Sequence, residues 1–276
     1  MPQSKLKRPT AIILLIILFN WSCAIKPKEV ANISKKKEGD MLGQMNNVFI
    51  PSYIDTCNTG MGKELKLLII GNSLSYHGIA PGIGWYHNSG MAASEKENDY
   101  AHQLFQSIQV KRPNHKVCMR ISNFATFERE PKGWNAQTVK ELQDYNPDIV
   151  VFQLGENVDG ENASVLALFG KQYINLIDSF KSDNQRHIVA TTPFFPSLEK
   201  NKIIQQAAIA TGIHLVDLSH LTLIDPENYA KNETDYPGEK NDWKVDGIGI
   251  HPGDKGMQNI ANLLFISIQP FLDSKN

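Results

Sequence analysis

Residues 67–75 read Leu-Leu-Ile-Ile-Gly-Asn-Ser-Leu-Ser. Four apolar residues run directly into a glycine and a small polar cluster. That pattern predicts a buried strand that stops abruptly in a turn. In an open α/β sheet, ligands gather just beyond the carboxyl ends of the strands. Ser73 is predicted to stand at such an end, with its hydroxyl open to a base. The stretch alone also fits, and more readily, a turn serine or a helix cap.

Two later stretches bear on that choice. Val150-Val151-Phe152-Gln153-Leu154 leads into Gly155-Glu156-Asn157, a second strand with polar residues at its tip. His251-Pro252-Gly253-Asp254 opens the last helical pattern. A hydroxyl nucleophile, a neutral amide donor and an imidazole, each at an element boundary, are the parts that acyl transfer requires.

Gly71-Asn72-Ser73-Leu74, Gly155-Glu156-Asn157 and His251-Pro252 resemble, in order and spacing, three blocks of the SGNH (GDSL) hydrolase superfamily. The likeness covers about residues 64 to 271. Asn72 replaces the usual aspartate of the first block. The resemblance implies Ser73 as nucleophile, His251 as base, and an oxyanion hole built from the Ser73 N–H and the Asn157 amide. The family usually adds a glycine N–H after its second strand. Here Ser122-Asn123-Phe124-Ala125-Thr126-Phe127-Glu128-Arg129 contains no glycine, so an N–H near Ala125 is expected in its place. The family's acid precedes the histidine by three residues, where this chain has Ile248. Asp246 then completes an atypical triad if the chain loops outward. Otherwise a backbone carbonyl between Asp246 and Ile248 serves a Ser–His dyad. Glu128 and Asp242 are weaker partners, and Asp254 is expected in the first turn of the last helix, where a carboxylate favours the helix dipole. The chemistry needs no metal and no cofactor.

The 276 residues carry a formal net charge of −1. No basic stripe points to nucleic acid. Lys5, Lys7 and Arg8 precede the apolar run 11–19, the pattern of an export signal. Ser22-Cys23 follows and resembles a bacterial lipoprotein site. On that reading, residues 1–22 are the signal, Cys23 is lipidated, and the protein is an exported lipoprotein, periplasmic or at the cell surface. The alternatives are an ordinary signal peptide or an uncleaved anchor. Residues 23–63 are expected to form a tether and an irregular lead-in to a domain spanning 64–276. In an exported protein Cys57 and Cys118 can pair, though sequence leaves their separation open.

From Leu67 onward, strand and helix patterns alternate. Strands are predicted at about 64–70, 116–121, 147–154, 187–192 and 212–218. Helices are predicted at 99–109, 135–145, 164–180, 198–211 and 255–271. The alternation predicts an α/β, three-layer doubly wound domain with a mostly parallel five-stranded sheet, flavodoxin-like as the SGNH resemblance implies. Residues 76–86 form a loop beside Ser73, where Tyr76, Trp85 and Tyr86 either make a stacking face for a sugar ring or pack inward. Residues 224–250 form a long polar loop of the kind that is usually functional. The resemblance implies an esterase. Small acyl esters, acetyl above all, on carbohydrate are the expected substrates. Lipid esters, acyl transfer to another hydroxyl, and a non-catalytic glycan-binding lipoprotein are the alternatives.

Overall fold

The computed structural model describes residues 52–181, 186–240 and 243–274. The expected signal (1–22), the lipidation site Cys23, most of the tether and Asp242 lie outside the described residues.

The chain orders its elements as β1 (Tyr53–Cys57), β2 (Glu64–Gly71), α1 (Tyr100–Lys111), β3 (Lys116–Asn123), α2 (Ala125–Arg129), α3 (Lys140–Asp144), β4 (Ile149–Phe152), α4 (Ala163–Phe180), β5 (His187–Thr191), α5 (Leu198–Thr211), β6 (His214–Val216), α6 (Leu221–Ile224), α7 (Asp246–Gly249) and α8 (Asp254–Ser274). Strands pair in the order β1-β3-β2-β4-β5-β6. All neighbours from β3 to β6 run parallel.

The apolar run of β2 shows why the sheet is covered on both sides. Leu65, Leu67 and Ile69 share one core with Leu104 of α1 and Leu264 of α8. Leu68 and Ile70 share the other core with Phe169 and Tyr173 of α4. β4 divides the same way, with Ile149 and Val151 on one face and Val150 and Phe152 on the other. Alternate side chains point to opposite faces of a strand, so a doubly covered strand must be apolar throughout.

The sheet has six strands, not five. Part of the segment expected to be irregular forms β1, antiparallel to β3 at the sheet edge. The ordered sheet therefore begins by Tyr53, ahead of the expected boundary at 64. Cys57 and Cys118 lie directly opposite in that ladder and form a disulfide, with Cα atoms 4.1 Å apart. The helix expected at 135–145 is shorter: a 3-10 turn at Ala136–Val139 leads into the five-residue α3.

Candidate active site

The carboxyl ends of β2, β3 and β4 meet at one end of the sheet. β2 ends at Gly71, where a side chain would land on the Ser75 hydroxyl, so the turn closes only on glycine. Asn72 is fully buried. Its Oδ1 accepts the Leu74 N–H at 3.1 Å, which bends the chain around Ser73. The Ser73 N–H has no acceptor among the described residues, whereas its carbonyl accepts from Met91.

Ser73 Oγ lies 2.9 Å from His251 Nε2. His251 Nδ1 lies 2.7 Å from the Gly247 carbonyl. A carbonyl can only accept, so Nδ1 carries the proton and Nε2 presents its lone pair to the serine hydroxyl. The ring is buried and packs edge-on against Phe195, with centroids 5.5 Å apart. Burial pushes the His251 pKa down to about 4, which keeps the imidazole neutral across the ordinary pH range.

Asp246 does not reach the imidazole. It is the exposed first residue of α7, and Gly247 holds the nitrogen that a triad acid would take. Ile248, at the family's acid position, is buried in a small core with Trp85, Met91, Ala92 and Ala230. Asp254 opens α8 as expected, and accepts from Ser94 and Asn98.

Near Ala125, where a third oxyanion donor is expected, the N–H groups of Phe124 and Ala125 are engaged within the fold. The Phe124 N–H donates to the Gly71 carbonyl at 2.6 Å, and the Ala125 N–H to Asn123 Oδ1 at 2.9 Å. The chain turns into α2 here, and the Asn123 side chain takes the first N–H of that turn.

Gly155 closes β4 at φ +122°, and an added Cβ would meet Ile204 and Pro193 at 2.7 Å. It hands the chain to Asn157, whose Nδ2 donates to Glu128 Oε2 at 2.6 Å and whose Oδ1 accepts from Arg129 at 2.8 Å. Glu128 is fully buried and also accepts from Asn72 Nδ2 at 3.1 Å and the Gly155 N–H at 2.5 Å. Burial raises its pKa while these donors oppose the rise. Glu156 turns its carboxylate toward the Phe194 and Phe195 N–H groups, and burial raises it to about 8. Sequence reasoning gave Glu128 only a minor part. Its partners lie 27, 29 and 56 residues away, and no local pattern links them.

The three loop aromatics separate. Tyr76 packs against the main core, and its hydroxyl donates to Asn88. Trp85 is buried, its indole N–H donating to the His77 carbonyl at 3.2 Å. Tyr86 is half exposed. Trp85 and Tyr86 line a cleft of about 310 Å³ together with His87, Tyr236 and Trp243. The last two come from the long loop before His251, a contribution that only the folded chain reveals.

No family model and no curated protein matches the chain. Similar solved structures include a two-domain esterase described as active on acetylated mannans, at 12% identity and TM-score 0.48. That match covers 77% of this chain, which spans only 50% of the esterase. A lipase/acylhydrolase from Enterococcus faecalis gives 14% identity and TM-score 0.49, covering 76% of this chain and 96% of that one. An acetyl xylan esterase gives 15% and 0.45, covering 74% and 100%. At these identities and scores, neither activity nor substrate passes from those proteins to this chain. The chain's own doubly wound sheet brings Ser73 and His251 into contact and joins Asn72 and Asn157 through Glu128.

Proposed function

We propose that the protein is a serine esterase of the SGNH type, working through a Ser73–His251 dyad on small acyl esters of carbohydrate. The observation that carries the reading is the 2.9 Å contact between Ser73 Oγ and an imidazole whose other nitrogen is fixed by the Gly247 carbonyl. Ser73 Oγ attacks the ester carbonyl as His251 Nε2 takes its proton. The oxyanion is held by the Ser73 N–H and the Asn157 amide. His251 returns the proton to the leaving alcohol, then takes one from the water that cleaves the acyl-enzyme. Without a carboxylate behind it, the imidazolium is less stabilised than in a full triad, and the carbonyl contributes chiefly orientation.

Carbohydrate as the alcohol is supported by the cleft lined by Tyr86 and Trp243, with Trp85 buried behind it. Flat aromatic faces suit the apolar faces of sugar rings, and ligand sites combine such surfaces with a few polar groups. Trp85 packs in one cluster with Ile248, so the cleft wall and the loop carrying His251 are joined. Export with a lipid anchor at Cys23 is part of the same proposal. A disulfide suits an oxidising compartment.

The test is hydrolysis of p-nitrophenyl acetate alongside an acetylated oligosaccharide. The protein should hydrolyse both and label with a fluorophosphonate, and Ser73→Ala should abolish both activities. Trp243→Ala should raise KM for the oligosaccharide severalfold while sparing p-nitrophenyl acetate. A protein that neither hydrolyses nor labels is not an esterase, and equal effects of Trp243→Ala on both substrates would remove the glycan assignment.

A further inference from the structure

We propose that Glu128 and Arg129, consecutive residues of α2, clamp the Asn157 amide from both ends and set it as an oxyanion donor. The inference rests on the esterase reading. Both are positioning residues, since they act through Asn157.

The two ends of an asparagine amide are nearly the same size but opposite in chemistry. Turned one way, the group offers N–H to an oxyanion. Turned the other way, it offers a carbonyl oxygen and repels it. Here each end meets a partner that accepts only one answer. The Arg129 guanidinium can only donate, and it holds Oδ1 at 2.8 Å. The Glu128 carboxylate accepts, and it holds Nδ2 at 2.6 Å. One of the two Nδ2 protons is engaged by Glu128, and the other remains for substrate.

The clamp is itself anchored. Glu128 is fully buried and binds the Asn72 amide at 3.1 Å and the Gly155 N–H at 2.5 Å. One carboxylate therefore ties the residue beside the nucleophile to the segment carrying the amide donor. This arrangement stands where the family usually places a glycine N–H. The N–H groups of Phe124 and Ala125 are engaged within the fold. With two donors in place of three, the correct orientation of Asn157 matters more.

The test is a double-mutant cycle on p-nitrophenyl acetate hydrolysis. Asn157→Ala should lower kcat by ~10²–10³. Arg129→Ala should lower kcat by roughly tenfold with little change in KM, as misplacement of a transition-state donor does. In the Asn157→Ala background the same change should cost nothing further. Arg129→Lys, which can still donate to Oδ1, should recover part of the loss. Arg129 is exposed, so its removal does not threaten the fold, whereas Glu128→Gln can, and the Arg129 arm is decisive. An equal loss in both backgrounds, or none in the parent, overturns the clamp. An inert parent that also fails to label would overturn the esterase reading instead. The clamp is then judged on the Asn157 side-chain ¹⁵N resonance, assigned by its loss in Asn157→Ala. It shifts in Arg129→Ala if the clamp exists and stays in place if it does not.

Discussion

Asn72 is the residue whose chemistry is most tightly specified by its surroundings. Its Nδ2 faces the Glu128 carboxylate and the Gln153 carbonyl, at 3.1 and 3.3 Å. An aspartate there would set one buried carboxylate against another. Asn72→Asp should therefore destabilise the fold by roughly 3 kcal/mol, read by urea unfolding. Adding Glu128→Gln should recover part of that loss, since the new amide can donate to the new carboxylate while leaving the Gly155 N–H opposite a donor. A neutral effect of Asn72→Asp would show that Glu128 is not held as a carboxylate. His251 carries a second prediction. Its pKa is lowered to about 4 by burial, so kcat/KM should hold through mildly acidic pH and fall with a midpoint near 4, not near 6.5. The sign for stability is the same: the contribution of the neutral ring is complete above about 6.5 and is lost as pH falls through about 4. A midpoint at 6.5 would mean the ring is freely hydrated in solution. Ser73 and His251 stand out in the sequence because each lies at an element boundary in a short local motif, and the structure brings the two into contact. Glu128 was not legible, because its role exists only once three distant segments converge. The engagement of the Ala125 N–H was not legible either, because the conformation of the Asn123 side chain that accepts it is not fixed by sequence.

At the scale of elements, five strands were legible from short apolar-rich runs bounded by turn residues, and β1 was not. Tyr-Ile-Asp-Thr-Cys is short and alternates between exposed and half-buried positions, so it carries little hydrophobic signal. It is held from outside its own composition. Arg120 of β3 pairs with Asp55 through two 2.7 Å hydrogen bonds and stacks between Tyr53 and Tyr145, at 3.9 and 4.5 Å. The Cys57–Cys118 disulfide adds a covalent tie across 61 residues. In the chain-entropy model a loop of that length is worth up to about 4 kcal/mol. Cys57→Ser with Cys118→Ser should lower the urea midpoint accordingly while leaving fluorophosphonate labelling of Ser73 intact, because Cys118 sits near the opposite end of β3 from the site. An unchanged midpoint would show that the ladder and Arg120 alone fix the edge.

Across the whole molecule, two layers of helix bury the sheet, and two long loops build the site on its carboxyl end. The doubly wound architecture was legible because helix and strand periods alternate along the chain. The pairing of the loops was not, since Trp85, Ala92, Ala230 and Ile248 form one core from segments far apart in sequence. Ile248 packs in that core, and the carbonyl of its neighbour Gly247 meets the imidazole Nδ1. The proposed chemistry rests on a Ser–His dyad oriented by this carbonyl. The direct measurement is kcat/KM for p-nitrophenyl acetate in Ser73→Ala, His251→Ala and Asp246→Asn beside the parent. Activity should be abolished in the first two, and the parent's value and acid midpoint kept in the third. A loss in Asp246→Asn comparable to that in His251→Ala, with the fold intact, would contradict the dyad and make Asp246 the acid of a triad.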